Sequence, residues 1–309
     1  MDELFDNVTY YGINKIIRNY CHFPSSLPLP VSIQHGWSFV PSLHDARVGA
    51  SENWYWSDAM AKAYKAKYPE IKTRAVGAPF LYFLKVISYE VMPEETRKGS
   101  IVFPSHSSSL ARISCDYNQY AEMLSYLPDI YKPVTICMYH IDFERGMGSP
   151  FASRGFKIVS NGDSLYEENF LLNFVNNSRD KLYAFSNQMT SALLFASAMD
   201  LKAFYYGPPF QFDSQDPNFT NIADYDQRYK QWEINSSNYF QFPDVNILDQ
   251  QKFSRETLGE ENLLSPIEMF FLLSKLAVKK QYLRQVLPDD HLAKKVFRLI
   301  KRALIKILG

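Results

Sequence analysis

Short apolar runs recur along the chain, and most of them stop at small or ionisable residues. Val31–Gln34 reads as a strand that ends at His35-Gly36, and Asn53–Ser57 reads as a second. Thr73–Val76 reads as a third, closed by Gly77-Ala78-Pro79. Further on, Ser100–Phe103 runs into Pro104-Ser105-His106-Ser107, and Pro133–Tyr139 runs into His140-Ile141-Asp142. Phe156–Ser160, Lys181–Phe185 and Leu201–Tyr206 complete the set, the second of these stopping at Ser186-Asn187. Between the strands, composition and capping signals predict helices near Asn14–Tyr20, Asp58–Tyr68, Asp116–Leu127, Leu165–Asn176 and Thr190–Met199. Ser265–Lys280 carries a full start signal: Ser265 as N-cap, Pro266 in the first turn and Glu268 at the capping-box position. Pro93–Gly99 is charged and reads as a linker, and the polar, aromatic residues 211–262 are expected to wrap the surface. The alternation of strand and helix predicts an α/β fold with parallel sheets.

Composition narrows the class. The 309 residues are 46% apolar and 21% charged, which excludes a disordered chain. Thirty-three basic residues balance 33 acidic ones, so the basic excess of a duplex nucleic-acid binder is missing and no nucleic-acid partner is expected. Cys21, Cys115 and Cys137 are far apart and form no zinc or disulfide pattern, which suits a reducing compartment. The start of the chain lacks the basic-then-apolar order of a signal peptide, and no apolar run reaches the ~18 residues of a membrane span, so a cytoplasmic location is expected.

The zero net charge conceals an asymmetry. Nine basic residues against two acidic ones give residues 279–309 a charge of +7, leaving −7 for the rest. In 291–309, Val296, Phe297, Ile300, Leu304, Ile307 and Leu308 share one helical face, with Lys295, Arg298, Arg302 and Lys306 along the other. This basic amphipathic pattern fits either an anionic membrane surface or a last helix docked with a solvated basic face. The former reading expects a protein peripheral on the inner face of the cytoplasmic membrane.

The polar strand ends carry the candidate chemistry, because ligands of open α/β sheets bind beyond the carboxyl ends of strands. Hydroxyls and amides at a helix start suit a phosphate, and histidines with a carboxylate suit proton transfer. Equally, the same residues fit ordinary caps and turns. Walker, dinucleotide, nucleophile-elbow and zincin motifs are absent. Asp224-Tyr225-Asp226 is the one Asp-x-Asp, and it reads as a solvated turn before it reads as a metal–diphosphate site.

The ordered set Gln34-His35-Gly36-Trp37, Asn53-Trp54-Tyr55-Trp56-Ser57, Val76-Gly77-Ala78-Pro79-Phe80, Val102-Phe103-Pro104-Ser105-His106-Ser107, Ile136–Asp142, Phe185-Ser186-Asn187 with Thr190-Ser191-Ala192-Leu193, and Lys202 with Tyr205-Tyr206 resembles bacterial GT-B glycosyltransferases of surface-polysaccharide synthesis. It is similar in look to Kdo transferases and glycerophosphotransferases of capsule and lipopolysaccharide assembly. The resemblance implies two Rossmann-like domains facing a cleft: an acceptor-side domain over 1–95, short for the family, a nucleotide-sugar domain over 96–278, and the basic tail 279–309. It implies sugar transfer from a nucleotide-sugar donor to a glycan or lipid-linked acceptor, with no metal and no cofactor. Ser105, His106, Ser107, Ser186, Asn187, Thr190 and Ser191 would contact the donor. His35 would be the general base, with Asp142 the alternative, and Gly36, Trp37 and Gly77 would lie on the acceptor side. The clustered Trp37, Trp54 and Trp56 could stack on an acceptor sugar, though core packing suits at least two of them better. Polyol-phosphate transfer and a non-catalytic binding protein are the alternatives.

Overall fold

The computed structural model describes residues 6–27, 29–37, 41, 43–107, 111–214, 231, 233–279, 298 and 302. In chain order the helices are α1 (Asp6–Thr9), α2 (Ile13–Cys21), α3 (Asp58–Lys67), α4 (Pro79–Val86), α5 (Tyr117–Ser125), α6 (His140–Glu144), α7 (Ser149–Ala152), α8 (Phe170–Ser178), α9 (Ser191–Ala198), α10 (Ile247–Thr257) and α11 (Pro266–Lys279). The strands are β1 (Val31–Ile33), β2 (Glu52–Tyr55), β3 (Thr73–Ala75), β4 (Ser100–Val102), β5 (Ala111–Cys115), β6 (Val134–Met138), β7 (Lys157–Ser160), β8 (Tyr183–Ser186), β9 (Lys202–Tyr205) and β10 (Phe210–Ser214). The chain forms two compact units, Met1–Tyr89 with Glu256–Gly309, and Glu90–Arg255. Helix α11 therefore belongs with residues 1–89, whereas the division drawn from sequence groups it with 96–278.

The first unit holds a parallel sheet in the order β1-β2-β3, with Val31 opposite Glu52 and Asn53 opposite Thr73. All three residues of β1 are buried, as expected of a strand covered on both faces. Ser57 caps α3 by accepting the Met60 N–H at 3.4 Å, and Asp58 and Lys65 sit at the dipole-favoured ends. The capping box of α11 forms as the sequence predicts: Ser265 N–H donates to Glu268 at 2.8 Å, and Glu268 N–H donates back at 3.3 Å. Trp54, Trp56 and Tyr55 are fully buried, so two of the three clustered tryptophans are core residues.

The second unit holds a five-stranded parallel sheet in the order β7-β6-β4-β8-β9. Numbered by appearance within that sheet, the order is third, second, first, fourth, fifth, the arrangement of a doubly wound nucleotide-binding half. Every residue of β6 is buried, and Val102, Ile136, Met138, Phe185 and Phe204 share a core with Tyr120, Leu124 and Phe151. A separate antiparallel pair joins β5 to β10, with Phe210 opposite Cys115.

Three features depart from the sequence reading. Residues 211–262 do not merely wrap the surface: β10 pairs with β5, Phe240 is fully buried, and α10 buries Gln250 and Ser254. The Gln250 amide accepts the Ala203 N–H at 3.0 Å and donates to the Ala203 carbonyl, closing the edge of β9 with one side chain. Pro79 opens α4 rather than ending a turn, since a proline fits the first helical position without losing a hydrogen bond. The helix expected at 165–176 begins only at Phe170. Residues 215–230, including Asp224 and Asp226, lie outside the described residues. So does the tail apart from Arg298 and Arg302, both helical and exposed. Among the described residues no helix is long and apolar enough to cross a membrane.

Two glycines let the segment after α10 approach the first sheet. A Cβ on Gly259 (φ +69°) would stand 1.7 Å from the Trp56 carbonyl oxygen, and one on Gly77 (φ +80°) would meet the tip of Leu263 at 2.5 Å. A backbone carbonyl cannot move aside as a leucine tip can. Gly259→Ala is therefore expected to cost about 3 kcal/mol or more, and Gly77→Ala about 1–2 kcal/mol. Thermal unfolding of the two variants checks the order.

Candidate functional site

In the first unit, the turn after β1 is fixed by Gln34. Its carbonyl accepts the Trp56 indole N–H at 2.9 Å, its Oε1 accepts the Trp56 backbone N–H at 3.1 Å, and its Nε2 donates to the Gly36 carbonyl at 2.9 Å. His35 follows, with Nδ1 2.9 Å from Asp45 Oδ1. The imidazole keeps 23% of its surface exposed while Asp45 keeps 3%. Tyr10 packs edge-on to His35 at 5.3 Å and stacks on His44 at 5.4 Å, and the two imidazoles lie 4.9 Å apart. Tyr11, whose backbone is left-handed at φ 54°, brings its ring to 6.3 Å from His35. Asn7 Nδ2 donates to Ser32 Oγ at 2.7 Å and reaches Asp45 Oδ1 at 3.4 Å, and the Tyr55 hydroxyl donates to the Asp45 carbonyl at 2.9 Å.

Burial acts to raise the Asp45 pKa, but His35, then His44 and Asn7, outweigh it, and the carboxyl lies below the ordinary aspartate value. An ionised, buried carboxylate on Nδ1 fixes the imidazole and leaves Nε2 as the nitrogen for a substrate proton. Asp45 and His44 were missed from the sequence. Their signal was the dipeptide His44-Asp45 ten residues after a strand-end histidine. Gly36 and Trp37 are half-buried beside this turn, whereas Gly77 packs against Leu263 and serves the fold.

In the second unit, the carboxyl ends of β4, β6 and β8 lie side by side. Asn187, fully buried, joins the loops after β4, β8 and β9. Its Oδ1 accepts the Ser105 N–H at 2.8 Å, and its Nδ2 donates to Ser105 Oγ at 3.1 Å and to the Pro208 carbonyl at 3.0 Å. Gly207 makes room, since a Cβ there would stand 2.6 Å from the Asn187 Cβ. Ser105 further accepts the Tyr117 hydroxyl at its carbonyl, 3.0 Å. Buried Ser107 donates its N–H to Asp142 Oδ2 at 2.7 Å and accepts the Ile113 N–H at 3.1 Å. Ser186 Oγ accepts the Gln188 N–H at 3.1 Å. Four residues expected to contact a donor, Ser105, Ser107, Ser186 and Asn187, are thus occupied in holding the loops. Asp142 is buried and holds the β4 loop, with Arg145 at 4.0 Å.

Outside this framework, His106 Nδ1 lies 3.1 Å from the adjacent Ser107 carbonyl, Thr190 precedes α9 with its hydroxyl unpartnered, and Ser191 opens that helix. His106 keeps an exposed surface, and its ring lies 4.3 Å from Tyr139, which lies 4.3 Å from His140. Despite that surface the imidazole sits deep in protein. The resulting desolvation lowers its pKa, against the Ser107 carbonyl and Asp142, so it is neutral at neutral pH. Thr190 stands at the N-cap of α9 in extended conformation, and no side-chain bond caps the helix. Burial pushes the Cys115 thiol up to about 11 and those of Cys21 and Cys137 to about 12, so none is a thiolate at neutral pH. Among the described residues no three His, Cys, Asp or Glu side chains are grouped to hold a metal ion.

The His35–Asp45 pair has a measurable consequence. A carboxyl with a lowered folded pKa stabilises above its unfolded value of about 4, and that stabilisation is lost as pH falls through the folded value. Asp45→Asn should therefore flatten the acid limb of the thermal-stability profile below about pH 4, and an unchanged limb would contradict the pairing.

No protein-family model and no curated protein matches the chain. Among solved structures, it is similar to the UDP-GlcNAc 2-epimerase from Neisseria meningitidis bound to UDP-GlcNAc, at 9% identity over 75% of this chain and 62% of that one, with a TM-score of 0.33. It is also similar to a mutant of S. aureus TarM in complex with fondaparinux, alpha-GlcNAc-glycerol and UDP, at 12% identity over 87% of this chain and 50% of that one, with a TM-score of 0.34. The chain spans 62% and 50% of the lengths of these two proteins.

Proposed function

We propose that the chain is a metal-independent glycosyltransferase that moves a sugar from a nucleotide-sugar donor to a hydroxyl of a surface-glycan or lipid-linked acceptor. The observation that carries this reading is the second unit's strand order. It reverses direction between β4 and β8, and the loops of those two strands are joined there by Asn187. Such a crevice is where doubly wound sheets hold nucleotides, and the start of α9 supplies backbone N–H groups suited to phosphate. The first unit supplies the base. His35 would take the acceptor hydroxyl proton at Nε2, with Asp45 stabilising the imidazolium through Nδ1. The acceptor oxygen bonds to the anomeric carbon as the bond to the donor diphosphate breaks. The electron pair leaves on a phosphate oxygen, near His106 and the start of α9.

The basic amphipathic pattern of 291–309 assigns a second partner, an anionic membrane surface, which attracts about 1 kcal/mol per basic residue near it. In this reading the protein is peripheral on the inner face of the cytoplasmic membrane, and the basic amphipathic pattern supports it.

The donor reading is tested by thermal unfolding with CMP, CDP, UDP, GDP and their common sugars, with and without EDTA. A ligand at 100 times its Kd should stabilise the fold by about 2.7 kcal/mol. One nucleotide family should raise Tm and EDTA should leave the rise unchanged; no rise with any of them would favour a binding or scaffold protein. With that donor, His35→Ala should lower kcat by about 10²–10⁴-fold, and undiminished turnover would remove the base. Deleting residues 291–309 should release the protein from phosphatidylserine-containing vesicles in a sedimentation assay, and unchanged binding would remove the membrane partner.

A further inference from the structure

Buried polar atoms are nearly always hydrogen-bonded, so those left over mark strain, an ordered water or a ligand. Ten side-chain atoms among the described residues are buried without a partner. Four are hydroxyls of serines within helices (Ser178, Ser197, Ser254 and Ser274), and Asn7, Arg97 and Asn262 pair through another atom of the same group. Two of the remaining ones lie at one end of one sheet. His140 Nδ1 stands just beyond β6 and Thr190 Oγ1 just beyond β8, and these are the two strands that flank β4.

We propose that His140 is a ligand-binding residue of the second unit's crevice, its Nδ1 pairing with a phosphate oxygen of the nucleotide donor alongside the Thr190 hydroxyl. This rests on the donor reading above and names a residue that reading does not use. Three features support it. The His140 ring is held by contact with Tyr139 and not by a hydrogen bond, so its orientation does not consume either nitrogen. Helix α6, which His140 opens, is fixed to the β4 loop through Asp142 and the Ser107 N–H, so the imidazole is carried on a rigid support. Thr190, which has the hydroxyl type and position of an N-cap, leaves the start of α9 uncapped by its side chain. Phosphate oxygens accept from an imidazole N–H and from a hydroxyl alike, so the phosphates of a nucleotide can meet each of the two groups.

The groups that set the charge of His140 are Glu144 and Asp142 on its own helix and Asp163 beyond β7, with the His106 imidazole across Tyr139. Desolvation lowers the His140 pKa against these carboxylates, so the ring is neutral at neutral pH. A bound phosphate favours the protonated ring, and donor affinity should therefore rise as pH falls from 8 toward 6.

The test is isothermal titration of the whole chain with CMP, CDP, UDP and GDP, and with UDP-glucose across pH 6–8, since its diphosphate diester does not itself titrate there. His140→Phe replaces an unpaired polar ring by an apolar one of similar shape. It is expected to keep or raise Tm while weakening nucleotide binding at least about tenfold and flattening the pH dependence. His140→Asn, which returns an amide near the position of Nδ1, should recover part of the affinity. Wild-type protein that binds a nucleotide while His140→Phe binds it equally well overturns the proposal and leaves the donor reading standing. A His140→Phe protein with lowered Tm, or an Asn variant with no recovery, also overturns it, since His140 is then a packing residue. Wild-type protein that binds none of the nucleotides overturns both.

Discussion

The second unit turns on one buried amide. Asn187 accepts from the Ser105 N–H and donates to Ser105 Oγ and the Pro208 carbonyl, so the loops after β4, β8 and β9 meet at a single side chain. A buried amide stripped of its partners costs about 1–3 kcal/mol, so these loops hold their positions together or not at all. The constraint reaches outward. Gly207 can only be glycine while Asn187 and Tyr120 stand where they do, and Ser107 is held from the far side by Asp142. The polar residues beyond the strands therefore include a framework whose side chains bond neighbouring loops.

Ser105, Ser107, Ser186, Asn187 and Asp142 hold the loops at the strand ends, and the proposed donor site lies beside His106, His140 and Thr190. The first unit repeats the logic on a smaller sheet. Gln34 fixes the turn by bonding Trp56, and Asp45 fixes the imidazole that the turn presents. In the first unit the buried carboxylate of Asp45 thus orients a half-buried histidine.

The parallel α/β architecture was legible because strands covered on both faces are mostly apolar runs, as Val134–Met138 is apart from Thr135. The β5–β10 pair was not, because Ala111–Cys115 and Phe210–Ser214 are mixed in composition and meet only through tertiary folding. Helix α10 was hidden by its polarity, since its contribution is the Gln250 amide on the β9 backbone rather than an apolar stripe. At the site, histidines and hydroxyls at strand ends could be located by position alone. Whether each hydroxyl faces a ligand or a neighbouring backbone depends on residues far away in sequence. Ser105 meets Asn187 and Tyr117, and Asp45, ten positions after His35, meets its imidazole.

The most direct measurement of the central claim is hydrogen–deuterium exchange of the whole chain with and without a saturating nucleoside diphosphate. A nucleotide held at the crevice joined by Asn187 should slow exchange together in residues 103–107, 139–142 and 186–191, and leave the β7 end of the sheet unchanged. Slowing confined to segments outside these three loops, or in only one of them, would contradict the account.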